Sequence, residues 1–383
     1  MTRVEAQGLT LAVGDLVSEA GAEGEPLDFL EPLGVLADSL DTEARLTESG
    51  RRAVRGALLS SLVTQIRLRR LVGEEPELPR RPIPRPVFVI GLLRTGTTLV
   101  HNLLAQHPEL RVPHLWELMF PVGTGAGDDE DRRTAEEYVA DYYEVAPRLP
   151  VVHYIDAHRP DECHRLLGNA FQSMVYEMRF RVPSYAAWLG KQDLTEAYRY
   201  HRLQLQSILW RIPGDPVVLK CPFHVWSLDA LTRAYPEARY VHLHREPLEV
   251  VLSTCSLCEV LRTARSSPVD LVEIGREWLA QVERGIERMR VARRTALAGA
   301  PVLDLGYREV VADPIGSVRR ICALADVELT DESERRMRRY LEENPQHKHG
   351  VHRYSAEQFG LDSGDVTGRF EGYREEYGAF LRR

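Results

Sequence analysis

Residues 86–107, PVFVIGLLRTGTTLVHNLLAQH, constrain this chain more than any other stretch. Val87 to Ile90 form a short apolar run that predicts a buried strand, while Leu99, Val100, Leu103 and Leu104 recur at helical spacing until Pro108. Between them lies Gly91-Leu92-Leu93-Arg94-Thr95-Gly96-Thr97-Thr98. Two glycines permit a tight turn, and the unpaired N–H groups that open a helix, with the positive end of its dipole, suit a phosphate. The segment reads as an anion cradle.

The interval from Gly91 to Gly96 matches the first half of a Walker A loop, but Thr97 stands where that motif needs lysine. The cation sits inside the loop as Arg94, whose guanidinium can hold a phosphate at two points. The displacement argues against a nucleotide triphosphatase. Arg94-Thr95-Gly96-Thr97-Thr98 resembles the phosphosulfate loop of sulfotransferases that use 3′-phosphoadenosine 5′-phosphosulfate (PAPS), in its arginine version.

Further along, Val217 to Lys220, Arg239 to His244 and Pro301 to Leu305 predict three more short strands, separated by helical patterns. Such alternation implies an α/β fold, a P-loop-like parallel sheet flanked by helices, with ligands at the carboxyl ends of the strands. Arg94, Lys220 and Arg245 all fall at such ends, so one anionic cleft is expected there. The resemblance extends to Arg245 and Ser253, eight positions apart, the spacing of a pair that holds the 3′-phosphate in that family. It assigns Lys220 to the leaving phosphate.

The base departs from the cytosolic enzymes, which place a histidine two residues after the lysine where this chain has Pro222. Resemblance to tyrosylprotein and heparan sulfotransferases makes Glu117 the first choice. Its flanking Trp116 and Leu118 leave it partly desolvated and poised to take a proton. Glu162 is the second, with His153 or His164 as substitutes. A basic loop near the C-terminus closes over the 3′-phosphate in the family, which marks Lys348, His349 and Arg353 as further cofactor contacts. Leu99 replaces the tryptophan that the cytosolic enzymes set against adenine, so another side chain must stack.

Composition narrows the remainder. With 44% hydrophobic and 28% charged residues in 383, the chain can bury a large core, and a net charge of -8 offers nucleic acid no footprint. No apolar run suits a membrane span and no signal pattern opens the sequence, so a cytoplasmic protein is expected. Five scattered cysteines suggest buried thiols, and Cys255 and Cys258 lack the partners that zinc needs. No metal is expected.

Residues 1–80 are expected to form a helical extension, with amphipathic helices across 27–72 that cover the core or make a homodimer face. Residues 81–383 form the α/β domain, and 123–133 read as a polar, mobile loop. The helical insertion 135–212, rich in aromatics and aliphatics, is expected to supply the acceptor side. The expected activity is sulfuryl transfer from PAPS to a hydroxyl of a hydrophobic small molecule such as a lipid, phenol or secondary metabolite. Arg94 and Lys220 would stabilise the charge that develops on the departing phosphate. A P-loop-type kinase and a non-catalytic nucleotide-binding protein are the competing readings.

Overall fold

In the computed structural model, residues 9–345, 348 and 354–382 are described. Four short strands form one parallel sheet in the order β2-β1-β3-β4: β1 is Val87–Gly91, β2 Val218–Lys220, β3 Arg239–His244 and β4 Val302–Gly306. Val89 stands opposite Lys220 on one side and Val241 on the other, so β1 and β3 end beside each other with Gly91 next to Leu243. Every residue of β1 is buried, as expected of a central parallel strand covered on both faces.

Side-chain alternation divides the core in two. Val87 and Val89 pack with Val100, Leu103, Leu104 and Ile321 on one face, whereas Phe88 and Ile90 join the larger core on the other. That larger core runs on without a break into Leu16, Leu33, Leu36, Leu58 and Leu62, so the N-terminal helices cover the main body of the fold. These helices are Val13–Glu19, Leu30–Thr42 and Glu48–Glu74. Pro32 does not interrupt the second of them; it sits in the first turn, where a missing N–H costs nothing.

One local expectation is corrected. The polar stretch 123–133 is not all loop, since the Asp128–Val145 helix begins within it, with Asp128, Asp129, Glu130 and Asp131 at the positive end of the helix dipole. Within the insertion a short helix, His164–Gly168, follows Asp161, and the chain turns at Phe171, which has φ of 53°. The helical character of 135–212 stands otherwise. Among the described residues, no helix is long and apolar enough to cross a membrane.

Candidate active site

The turn after β1 is shaped by backbone that other residues would resist. Gly91 has φ of 148° and Gly96 φ of 91°; a Cβ on Gly91 would meet the Leu243 carbonyl oxygen at 2.6 Å, and one on Gly96 the Tyr307 ring at 3.0 Å. Between them Arg94 takes φ of 65°, a strained conformation for a side-chain-bearing residue, of the kind found at ligand clamps. Gly96 leads into the Thr97–Leu104 helix, whose first turn no side chain caps. The hydroxyl of Thr95 is spent inside the turn, donating to the Leu92 carbonyl at 2.8 Å, so only its backbone faces the cradle.

Arg94, Arg245 and Ser253 come together. Arg245 donates through Nη1 to the Arg94 carbonyl at 2.7 Å, and Arg94 donates through Nε to Ser253 Oγ at 3.1 Å. The helix Pro247–Thr263 brings Ser253 to this place, its Pro247 set in the first turn. The Arg245 guanidinium also lies 4.2 Å above the ring of Tyr307, an aromatic that opens the helix after β4. Sequence reasoning passed over Tyr307; the signal was an aromatic directly after an apolar run with a glycine at its end. Among the described residues, no carboxylate pairs with Arg94, and withdrawal from water, with Arg245 nearby, lowers its pKa. A half-buried cation without a counter-charge is a place for an anion.

Lys220, at the end of β2, is 2% exposed and reaches two partners: its Nζ donates to Glu162 Oε1 at 2.7 Å and to Thr98 Oγ1 at 3.3 Å. The other Glu162 oxygen meets His164 Nδ1 at 3.2 Å. Burial opposes ionisation of Glu162, but Lys220 and then His164 outweigh it and hold the carboxyl well below its usual range. Burial works against His164 too, yet hydrogen bonds with Cys221 and Glu162 raise it. His153, which faces the same space, is pushed down to about 4 by burial and stays neutral. His224, after the strand, is remote from that space: it is fully buried between the Tyr198 hydroxyl and the Cys163 thiol.

A cavity of about 480 Å³ unites these groups. Its lining includes Arg94, Gly96, Thr97, Thr98, Arg245 and Tyr307 and the apolar Leu149, Ile155, Val175, Met178, Phe223 and Leu257, together with Glu162, Arg165 and Arg179. Lys220 and Ser253 stand one hydrogen bond behind the surface. The insertion contributes Leu149, Ile155, Val175, Met178 and the aromatic Tyr142 to this lining, while Phe171 and Tyr185 belong to the core.

Glu117 is elsewhere. It lies on the Leu115–Met119 helix, accepts from both Arg111 Nη groups and takes the His114 N–H at 2.7 Å in a capping box. It does not line the cavity, whereas Glu162 does. Lys348 is exposed, hydrogen-bonds Asn344 at 3.3 Å and borders a smaller cleft shared with Arg94, Thr98 and Leu99. His349 and Arg353 lie outside the described residues. All five cysteines are buried and unpaired by disulfides.

Residues 86–331 match the model of a family described as the sulfotransferase family. Omega-hydroxy-beta-dihydromenaquinone-9 sulfotransferase Stf3 of Mycobacterium bovis is 23% identical over 288 residues, 71% of either chain, and so is its namesake from Mycobacterium tuberculosis. Sulfotransferase STF1 from Mycobacterium tuberculosis H37Rv is 31% identical and aligns over 97% of this chain and 99% of its own with a TM-score of 0.78. For sulfotransferase STF9 from Mycobacterium avium the identity is 26%, the coverage 95% of both chains and the TM-score 0.82.

Proposed function

The chain belongs to the sulfotransferase family, and from that premise we propose that it moves a sulfuryl group from PAPS to the hydroxyl of a hydrophobic small molecule. The carrying observation is one cavity whose lining joins the Arg94 guanidinium and the start of the Thr97–Leu104 helix to aliphatic side chains and Glu162. Stf3 by its name acts on an omega-hydroxy-beta-dihydromenaquinone-9, which agrees with an apolar acceptor wall.

The residues present fit the donor. Among the described residues Arg94 has no carboxylate partner, and the glycine turn leaves room where a Cβ would collide, which together favour a phosphate against the backbone. In this reading Arg94 and the N–H groups of 95–98 hold the 5′-phosphosulfate, Arg245 and Ser253 hold the 3′-phosphate, and Tyr307 offers the adenine a face that Leu99 cannot. Lys348, His349 and Arg353 remain proposed outer contacts to the 3′-phosphate. Bound PAPS supplies a sulfuryl group on a good leaving phosphate: its bridging S–O bond breaks as a new S–O bond forms to the acceptor oxygen.

Glu162 takes the acceptor's proton on a carboxylate oxygen. Lys220 serves twice, keeping Glu162 ionised and, through Thr98, bringing positive charge to the cradle where negative charge grows. Leu149, Ile155, Val175, Met178 and Leu257 orient an apolar acceptor and exclude water that would otherwise consume the donor. The test is transfer of ³⁵S from labelled PAPS to a panel of long-chain alcohols, phenols and sulfatable sugars. Labelled apolar esters are expected; labelling of the sugars alone would overturn the acceptor class.

A further inference from the structure

A second cavity, of about 540 Å³, lies behind the first. Phe223 lines both, and the wall between them is one short helix, Val175–Arg179, with Val175 and Met178 toward the catalytic cavity and Glu177 toward the second. Its lining is largely apolar, with Leu167, Met174, Val182, Leu189, Leu194 and Trp226 beside the buried polar Gln172 and Ser173.

The rim has the opposite character. Arg276, Arg284 and Arg288 recur on one face of the Leu271–Arg294 helix, with Lys191 also on the lining, and all four are exposed. Among the described residues, no carboxylate pairs with Arg276, Arg284 or Lys191, and Arg288 donates only to the carbonyls of Trp226 and Gly190, at 2.9 and 2.6 Å. The two acids on the lining do not offset them. Glu277 is taken by Arg262 at 2.8 Å, and Glu177, held against Gln281, is pushed up by burial to about 7. An apolar chamber under uncompensated cations, in a protein of net charge -8, is built for a ligand that is apolar along its length and negative at its end.

We propose that this second cavity binds a long-chain amphipathic monoanion, an alkyl carboxylate or alkyl sulfate, with its chain between Leu189 and Trp226 and its head on Arg276 and Arg284. The claim does not depend on the donor or on the base assigned above. It is tested by calorimetry with dodecanoate below its micellar range, using dodecanol and dodecylamine as neutral and cationic controls. Dodecanoate is expected to bind, dodecanol more weakly and dodecylamine not at all. Joint Arg276→Glu and Arg284→Glu should weaken dodecanoate by about tenfold or more while sulfuryl transfer persists. Leu257→Trp, which narrows the catalytic cavity instead, should leave dodecanoate affinity unchanged.

Equal binding by the double variant, or loss of binding in Leu257→Trp, would overturn the proposal, because the chain would then sit in the catalytic cavity. Octanoate against octyl sulfate separates the two sources: preference for sulfate assigns the cavity to sulfated product, and preference for carboxylate to a fatty acid. Loss of transfer in Glu162→Gln with dodecanoate binding intact keeps the two cavities' fates distinct.

Discussion

Glu117 and Glu162 are both buried glutamates bound to a cation, yet their surroundings give them opposite uses. Glu117 spends its oxygens on Arg111 and on the N–H that starts its own helix, so the pair closes a turn and faces no free space. Glu162 shares its oxygens between Lys220 and His164 at the edge of a cavity, and Lys220 reaches past it to a threonine of the phosphate cradle. A buried ion pair alone therefore says little about function. What the cation touches next, and whether an acceptor can approach, are the grounds on which Glu162 rather than Glu117 is proposed as the base.

The strongest break of that comparison is exchange of each carboxylate for its amide. Glu162→Gln should cut turnover by about 10²-fold or more while binding of 3′-phosphoadenosine 5′-phosphate persists, whereas Glu117→Gln should leave turnover close to native. Steady-state and single-turnover rates distinguish them, and the reverse ranking would restore Glu117. Removing the cation beside Glu117 should tell in the fold instead: Arg111→Ala leaves a buried carboxylate uncompensated and should cost about 3–5 kcal/mol of stability, read by denaturant unfolding.

Smaller effects refine the contrast. Arg94→Ala should weaken the adenosine bisphosphate by about tenfold or more without a comparable loss of stability, since its guanidinium pairs with no carboxylate among the described residues. A third buried glutamate, Glu177, carries the opposite shift from Glu162. Burial raises it from 4.5 to about 7, so the native state holds its proton longer than the unfolded chain does. Its contribution is complete below about 4.5 and is lost as pH rises toward 7. Unfolding measured between those values should lose part of its pH slope in Glu177→Gln. Glu162, depressed instead, contributes above 4.5 and loses that contribution only as pH falls through its lower native value.

Much of this was legible in the chain because it is local. Four short runs of four to six residues, three of them ending at or near a cation, predict a parallel sheet with one charged edge, and the glycines around Arg94 predict the turn. The partnership of Glu117 was not legible. Arg111 is six residues away on a non-helical approach, and only the fold shows that it turns back onto the carboxylate. The same holds for Tyr307, whose place beside Gly96 and Arg245 depends on β3 and β4 standing in register. The acidic run at 128–131 misled for a physical reason: charges that read as loop in isolation stabilise a helix start through its dipole.

The most direct test of the central claim is titration of the native protein with 3′-phosphoadenosine 5′-phosphate by calorimetry, without added metal, beside ADP and ATP-magnesium. Micromolar binding that depends on the 3′-phosphate and weakens in Arg245→Ala is the predicted result. Equal binding of ADP, or a preference for ATP-magnesium, would contradict it and return the cradle to an ordinary nucleotide site.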